Sequence, residues 1–325
     1  MDSTQKTTLL RLPLTHWISI GIYLALTVLF VFFYKGFMGN TQSAAAWLES
    51  AWTPETDYEH GWMIPLLCIY MMCRAAKKLE TAPVQGSLKG LWITLVGGLF
   101  CILAARSQQP RVVIGAVPFL LSGAVWCYWG RKAALTCAFP LFFLWMAIPL
   151  PGLQQATTSL QSLTAHGAHA VASLCGVETI LAGSKIAAAN GTWDSFDIVG
   201  GCSGIRSLMA LLMISIVWAY LADTLALWKR FLLAVSAIPL AIIGNIFRIS
   251  SICLFAEYVD PTFAGKTWHD WSGLLFFFPA TLIGLALLHG LLAGELPFIR
   301  KRKTVTRKHN ATADEAPADE KGDRA

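Results

Sequence analysis

Cys202, Arg248 and His269 have the side chains needed for thiol chemistry on a carbonyl. Cys202 stands in FDIVGGCSGIRSL (196–208), where Gly200, Gly201 and Gly204 surround Cys202 and Ser203. An apolar run to Tyr220 follows at once. Glycines beside a thiol let a second backbone approach closely. The free N–H groups and positive dipole end of the helix that follows favour a thiolate. Arg248 stands in AIIGNIFRISSICLF, and an arginine inside an apolar run is costly unless it faces a cavity or a partner. Asn245, three residues earlier, shares its helix face. His269 lies in KTWHDWSG. With the three together, the imidazole takes the thiol proton, the thiolate attacks a peptide carbonyl and the guanidinium steadies the oxyanion. The imidazolium then returns its proton to the leaving amine.

Each residue alone has a plainer reading. The glycines form a turn into a membrane helix, with Cys202 as a small buried filler. Arg248 snorkels to the interface or pairs with Glu257 or Asp270. His269 sits between Trp268 and Trp271 in an interfacial aromatic belt. Whether the three share one depth decides the matter, and that depends on the elements that carry them.

The chain is 55% hydrophobic and 14% charged, with mean hydropathy +0.56, values that point to a multispanning membrane protein. The net charge of +6 sits in short basic clusters between apolar runs. That is a topology pattern, not a nucleic-acid face. Eight cysteines are scattered, several inside apolar runs (Cys68, Cys101, Cys127, Cys137, Cys253), and there is no CxxC pair. Neither a zinc site nor a disulfide framework is indicated. No metal site, phosphate loop or nucleotide fingerprint is present, and no cofactor is inferred.

Eight apolar runs cover 16–34, 61–73, 88–105, 112–129, 133–150, 203–220, 231–255 and 274–293. The first reads as a retained signal anchor, although the SAAA stretch at 43–46 is cleavage-like. Pro149-Leu150-Pro151-Gly152 breaks the fifth. Over 153–174 apolar positions recur at Leu153, Ala156, Leu160, Leu163, Gly167, Ala170, Val171 and Leu174. This spacing predicts an amphipathic helix at the membrane surface or lining a cavity. Over 177–198 short strands and turns are expected, with Asn190-Gly191 as a hairpin signal flanked by Ile186 and Phe196. From Arg300 the chain turns to RKRK and a polar tail that cannot support a core. The basic cluster is chiefly a stop signal after the last span, with anionic lipid as a second use. The expected architecture is an all-α polytopic membrane domain over 1–298, with about eight transmembrane helices and a small irregular or β-hairpin outer segment. Its catalytic half is about 196–292, and 299–325 is a disordered cytoplasmic tail.

Eighteen of the 25 Lys and Arg, counting Lys89 at the entry of the third run, fall before the first run, after the last, or between runs two and three, four and five, or six and seven. The other seven are Lys35, Arg106, Arg111, Lys185, Arg206, Arg248 and Lys266. By the positive-inside rule both termini are cytoplasmic. Cys202 then sits at the outer mouth of the sixth span. Arg248 lies about 27 Å beyond Arg230 at ~1.5 Å per residue, near the outer edge of a hydrocarbon core roughly 30 Å thick. His269 falls in the outer loop just before the eighth span. All three meet the outer face.

In that order, CSGIRS (202–207), NIFRI (245–249) and WHDWSG (268–273) resemble the exosortase/archaeosortase family. DYEHG (57–61) is similar to that family's HG motif in the first outer loop. The similarity spans about 58–292, most strongly 196–275. It implies a polytopic cysteine transpeptidase with Cys202, Arg248 and His269 in the catalytic positions. Gly201, Ser203, Gly204, Asn245 and His60 would line the substrate. The resemblance further implies cleavage of C-terminal sorting signals, of the PEP-CTERM type, at the outer face of the cytoplasmic (inner) membrane. The partners would be exported proteins bearing such signals and the lipid bilayer, not nucleic acid. Segments 153–174 and 297–325 match no part of that pattern.

Two other readings compete. GCSG (201–204) also fits the rhomboid GxSG motif, with Ser203 as nucleophile and His269 or His289 as base. The chain lacks the Trp-Arg dipeptide and the His-x-x-x-Asn pattern that rhomboids carry, and a rhomboid gives Arg248 no role. A transporter or envelope-assembly scaffold would also use intramembrane charge and broken helices. Its charges belong at the midplane, whereas these gather at one face.

Overall fold

The computed structural model describes residues 12–79, 84–149, 153–183, 185–197 and 205–294. Seven helices come first: α1 (Leu14–Phe33), α2 (Ala44–Ala51), α3 (Met63–Leu79), α4 (Gly90–Ser107), α5 (Pro110–Trp129), α6 (Arg131–Phe142) and α7 (Leu153–Leu174). Three short strands follow, β1 (Thr179–Ala182), β2 (Lys185–Ala188) and β3 (Phe196–Asp197). Then come α8 (Ile205–Leu221), α9 (Leu227–Val235), α10 (Ala237–Tyr258) and the long run α11 (Pro261–Ala293).

The all-α polytopic class expected from sequence holds. Among the described residues, five helices are long and apolar enough to cross a membrane: α1, α4, α5, the bent α9–α10 unit Leu227–Tyr258, and α11. The other three apolar runs form shorter pieces. α3 and α8 have 17 residues each, and α6 has 12 before the chain tightens into a 3₁₀ turn over Phe143–Ala147. Pro140 inside α6 removes a ladder hydrogen bond, so an apolar run of sufficient length does not become one long helix.

α1 is exposed over most of its surface, with Ile20 as its buried residue. Leu14, Ile18, Ile22, Leu26, Leu29 and Phe33 of α1 are all exposed. They recur every three or four residues, the period of one helix face. A continuous apolar stripe of this kind suits hydrocarbon, where helices meet their backbone hydrogen bonds internally.

α8 occupies the middle of the molecule. Its Met209, Met213 and Val217 join a core with Trp47 of α2, Ile64 and Met71 of α3 and Val113 of α5. Its Leu211 and Ala219 join another core with Leu233 of α9, Ala241 of α10 and Leu285 of α11. The helix that follows the Cys202 motif is thus gripped from both sides.

α7 spans the expected residues. Leu163 and Leu174 are exposed, whereas Gln161, Thr164, Ala165, Ala168 and Ala172 are buried. These small residues lie against α10: Ser250 Oγ donates to the Ala168 carbonyl (3.4 Å), and a Cβ on Gly167 would meet Ile246 Cδ1 at 2.6 Å. Close helix contact selects small residues.

The sheet is antiparallel in the order β1-β2-β3, with Ile186 opposite Phe196 and Lys185 opposite Asp197. Asn190-Gly191 opens the β2–β3 connection, with Gly191 at φ +73° and Asn190 Oδ1 accepting from Thr192 N (3.1 Å). The turn is tied to the end of α10 by Glu257, which accepts from Asn190 Nδ2 (3.0 Å), Thr192 Oγ1 (2.7 Å) and Trp193 Nε1 (3.0 Å).

Candidate active site

Cys202, Gly201, Ser203 and Gly204 lie outside the described residues, as does the 299–325 tail. The first turn of α8 shows what surrounds the end of that motif. Ser207, five residues after Cys202 in sequence, lines a cavity of about 20 Å³ with Asn245 and Arg248 of α10 and Gly273 of α11. That is room for about one water molecule.

Arg248 is half-buried on α10 and reaches α11. Its Nη2 donates to the backbone carbonyl of His269 (2.8 Å), and its Nε is buried without a hydrogen-bond partner among the described residues. The guanidinium lies flat against Gly273, where an added Cβ would come within 3.0 Å of Cζ and 3.2 Å of Nε and Nη1. A side chain at 273 would push the guanidinium away. The ion partners considered for Arg248 are both engaged elsewhere. Glu257 holds the 190–193 turn, and Asp270 Oδ1 is 2.9 Å from His269 Nδ1. Arg248 makes no salt bridge among the described residues.

His269 is not in a loop before the last span. It lies inside the continuous helical run Pro261–Ala293, between two π-helical turns at Ala264–Trp268 and Gly273–Phe277. The helix runs through both Gly265 and Gly273, so these glycines do not make the loop that the sequence suggested. The π-turns shift the hydrogen-bond ladder by one residue on either side of WHDWSG, a distortion frequent at functional sites. They also split the aromatic pair. Trp268 turns inward, donating to Ser251 Oγ (2.9 Å) and packing on Phe255 with centroids 4.6 Å apart, while Trp271 stays exposed. His269 itself is a quarter exposed, with Nδ1 engaged by Asp270. A carboxylate on one ring nitrogen fixes the tautomer and directs the other nitrogen at the chemistry.

Asn245 is buried and lines the Arg248 cavity, as the shared helix face requires. His60 belongs to the 3₁₀ turn Glu59–Trp62, which packs against α8. It is 7% exposed, neither ring nitrogen has a hydrogen-bond partner among the described residues, and Tyr58 lies alongside with centroids 5.2 Å apart. The glycine after it is a packing requirement, because a Cβ on Gly61 would enter the Trp52 indole. Burial lowers the His60 pKa below its usual 6.5, so the folded protein holds it neutral where the unfolded chain protonates it. Stability is therefore full above about pH 6.5 and declines as the pH falls through the lower folded value. We expect the purified protein to melt at lower temperature at about pH 5 than at about pH 7.5, and His60→Gln to flatten that dependence. An unchanged pH profile in His60→Gln would contradict the assignment.

Sequence reasoning missed two residues. Asp270 was legible as the neighbour of His269 but was read only as a partner for Arg248. Arg206 was counted for topology alone, although the structure has it bridging α8 to Pro54 and Asp57.

Residues 51–286 match the family described as transmembrane exosortase (Exosortase_EpsH), well over half of the chain. The chain belongs to that family. Neither a curated protein nor a solved structure matches it. In this exosortase-family chain the matched region takes in every candidate residue, from His60 to His269.

Proposed function

We propose that the protein is a membrane cysteine protease or transpeptidase that cleaves C-terminal sorting signals of exported proteins at the outer face of the cytoplasmic membrane. The observation that carries this reading is the placement of Arg248. Its guanidinium joins α10 to the His269 carbonyl and lines the same cavity as Ser207, just after the Cys202 motif. An intramembrane arginine with a buried donor left over suits an oxyanion. In the reaction, His269 takes the Cys202 proton and the thiolate adds to the scissile carbonyl. The Arg248 guanidinium stabilises the oxyanion, and the imidazolium protonates the departing amine as a thioester forms. Water or an acceptor amine then resolves the thioester. Asn245 and His60 bound the space that the peptide enters, together with Gly201, Ser203 and Gly204.

The topology that goes with this function has eight spans, the three shorter apolar helices included, with both termini cytoplasmic. Reporter fusions after Lys78, Arg131 and Arg230 should read as cytoplasmic, and fusions at Asn190 and Pro261 as external. A cytoplasmic signal at Asn190 would put Cys202 out of reach of an exported substrate and end the proposal. The activity itself is tested by co-expressing the protein with a tagged exported protein that ends in a short motif, an apolar helix and a basic cluster. Loss of the C-terminal piece should depend on the enzyme.

A further inference from the structure

Consecutive residues of α8 serve two different neighbours. Ser207 lines the Arg248 cavity, whereas Arg206 reaches the first outer segment. Arg206 Nη2 donates to the Pro54 carbonyl (3.0 Å) and to Asp57 Oδ1 (3.1 Å), and its Nε lies 3.5 Å from Glu59 Oε2. One guanidinium so gathers three acceptors from residues 54–59. The segment is shaped to present them: Thr56 Oγ1 donates back to the Ala51 carbonyl (2.7 Å), and Asp57 takes a left-handed backbone (φ +60°) at the corner between two 3₁₀ turns. His60, buried against Tyr58, comes next in the chain.

We propose that Arg206 is a positioning residue for the reaction. It holds 54–60, with His60, against the mouth of α8, so that this segment forms one wall of the space where the scissile peptide lies. The inference rests on the reading of Cys202 as the nucleophile at that mouth. Only a planar fork of donors meets a carbonyl and two carboxylates at once, and lysine offers a single point of charge. The Arg206 side chain is 52% exposed, and exposed ion pairs add little to global stability. Losing the contact should therefore register in substrate engagement before it registers in folding.

The test uses full-length protein in nanodiscs and a tagged peptide carrying a C-terminal sorting signal. Arg206→Ala and the double variant Asp57→Asn/Glu59→Gln are each expected to speed hydrogen exchange of amides 54–60. Each should also raise KM about tenfold, the scale of a lost hydrogen bond to a charged group, with a smaller change in kcat and a near-normal melting temperature. Combining the two should add little, and Arg206→Lys should recover part of the loss. Unchanged exchange over 54–60 in Arg206→Ala would overturn the contact. Faster exchange with unaltered KM and kcat, or fully additive effects, would overturn the positioning role. Cys202→Ala separates the two readings. It should stop cleavage without altering exchange, and normal cleavage by that variant would sink the thiol mechanism while the exchange data still report on Arg206.

Discussion

Cys202→Ala should abolish processing of a tagged exported substrate, while Ser203→Ala leaves most of it intact. Removing the nucleophile of a covalent mechanism costs on the order of 10⁴-fold or more, because no other group forms the intermediate. Cys202→Ser should also be poor, since a hydroxyl is far less acidic than a thiol near neutral pH and His269 would have to remove its proton outright. The competing serine reading predicts the reverse order of the two alanine variants. Geometry already narrows that reading. His289 sits beside Trp218, with ring centroids 5.8 Å apart, thirteen residues into α8. At ~1.5 Å per residue that is about 20 Å from the helix start, so His289 cannot serve a nucleophile at the α8 mouth. Of the two histidines weighed as base for Ser203, His269 remains.

Arg248→Lys should lower cleavage by about a hundred- to a thousandfold, with near-normal enzyme in the membrane fraction. Lysine keeps the charge and can reach the interface but loses the fork that donates to the His269 carbonyl and leaves Nε over. Loss of one oxyanion donor costs about 2.7–4 kcal/mol of transition-state stabilisation. A purely structural arginine predicts otherwise: Lys would largely restore activity, and Ala would reduce the amount of folded protein. Near-normal cleavage by Arg248→Lys would leave Cys202 and His269 as a dyad. Because Gly273 leaves the guanidinium its room, Gly273→Ala should move activity in the same direction as Arg248→Lys, and less far.

What could be read from sequence follows from the solvent of each element. The helical class and the apolar runs come from hydropathy, which bilayer thickness constrains strongly, and the basic clusters put Arg248 and His269 at one depth, where the structure joins them. The continuity of α11 through WHDWSG was missed because π-turns have no compositional mark. Arg206 was invisible as a contact for a different reason. Its partners Pro54, Asp57 and Glu59 lie about 150 residues earlier, and a single sequence carries no signal for an ion pair at that separation. Asn245 and Arg248 needed only the helix repeat.

The central claim is that the Cys202 thiolate takes the substrate's acyl group. Its most direct test is to trap and map the covalent intermediate on wild-type enzyme quenched during turnover. The account predicts a thioester between Cys202 and the new C-terminus of the truncated exported protein, released by neutral hydroxylamine and absent from Cys202→Ala. An acyl group mapped to Ser203, or continued cleavage by Cys202→Ala with no thioester, would contradict it.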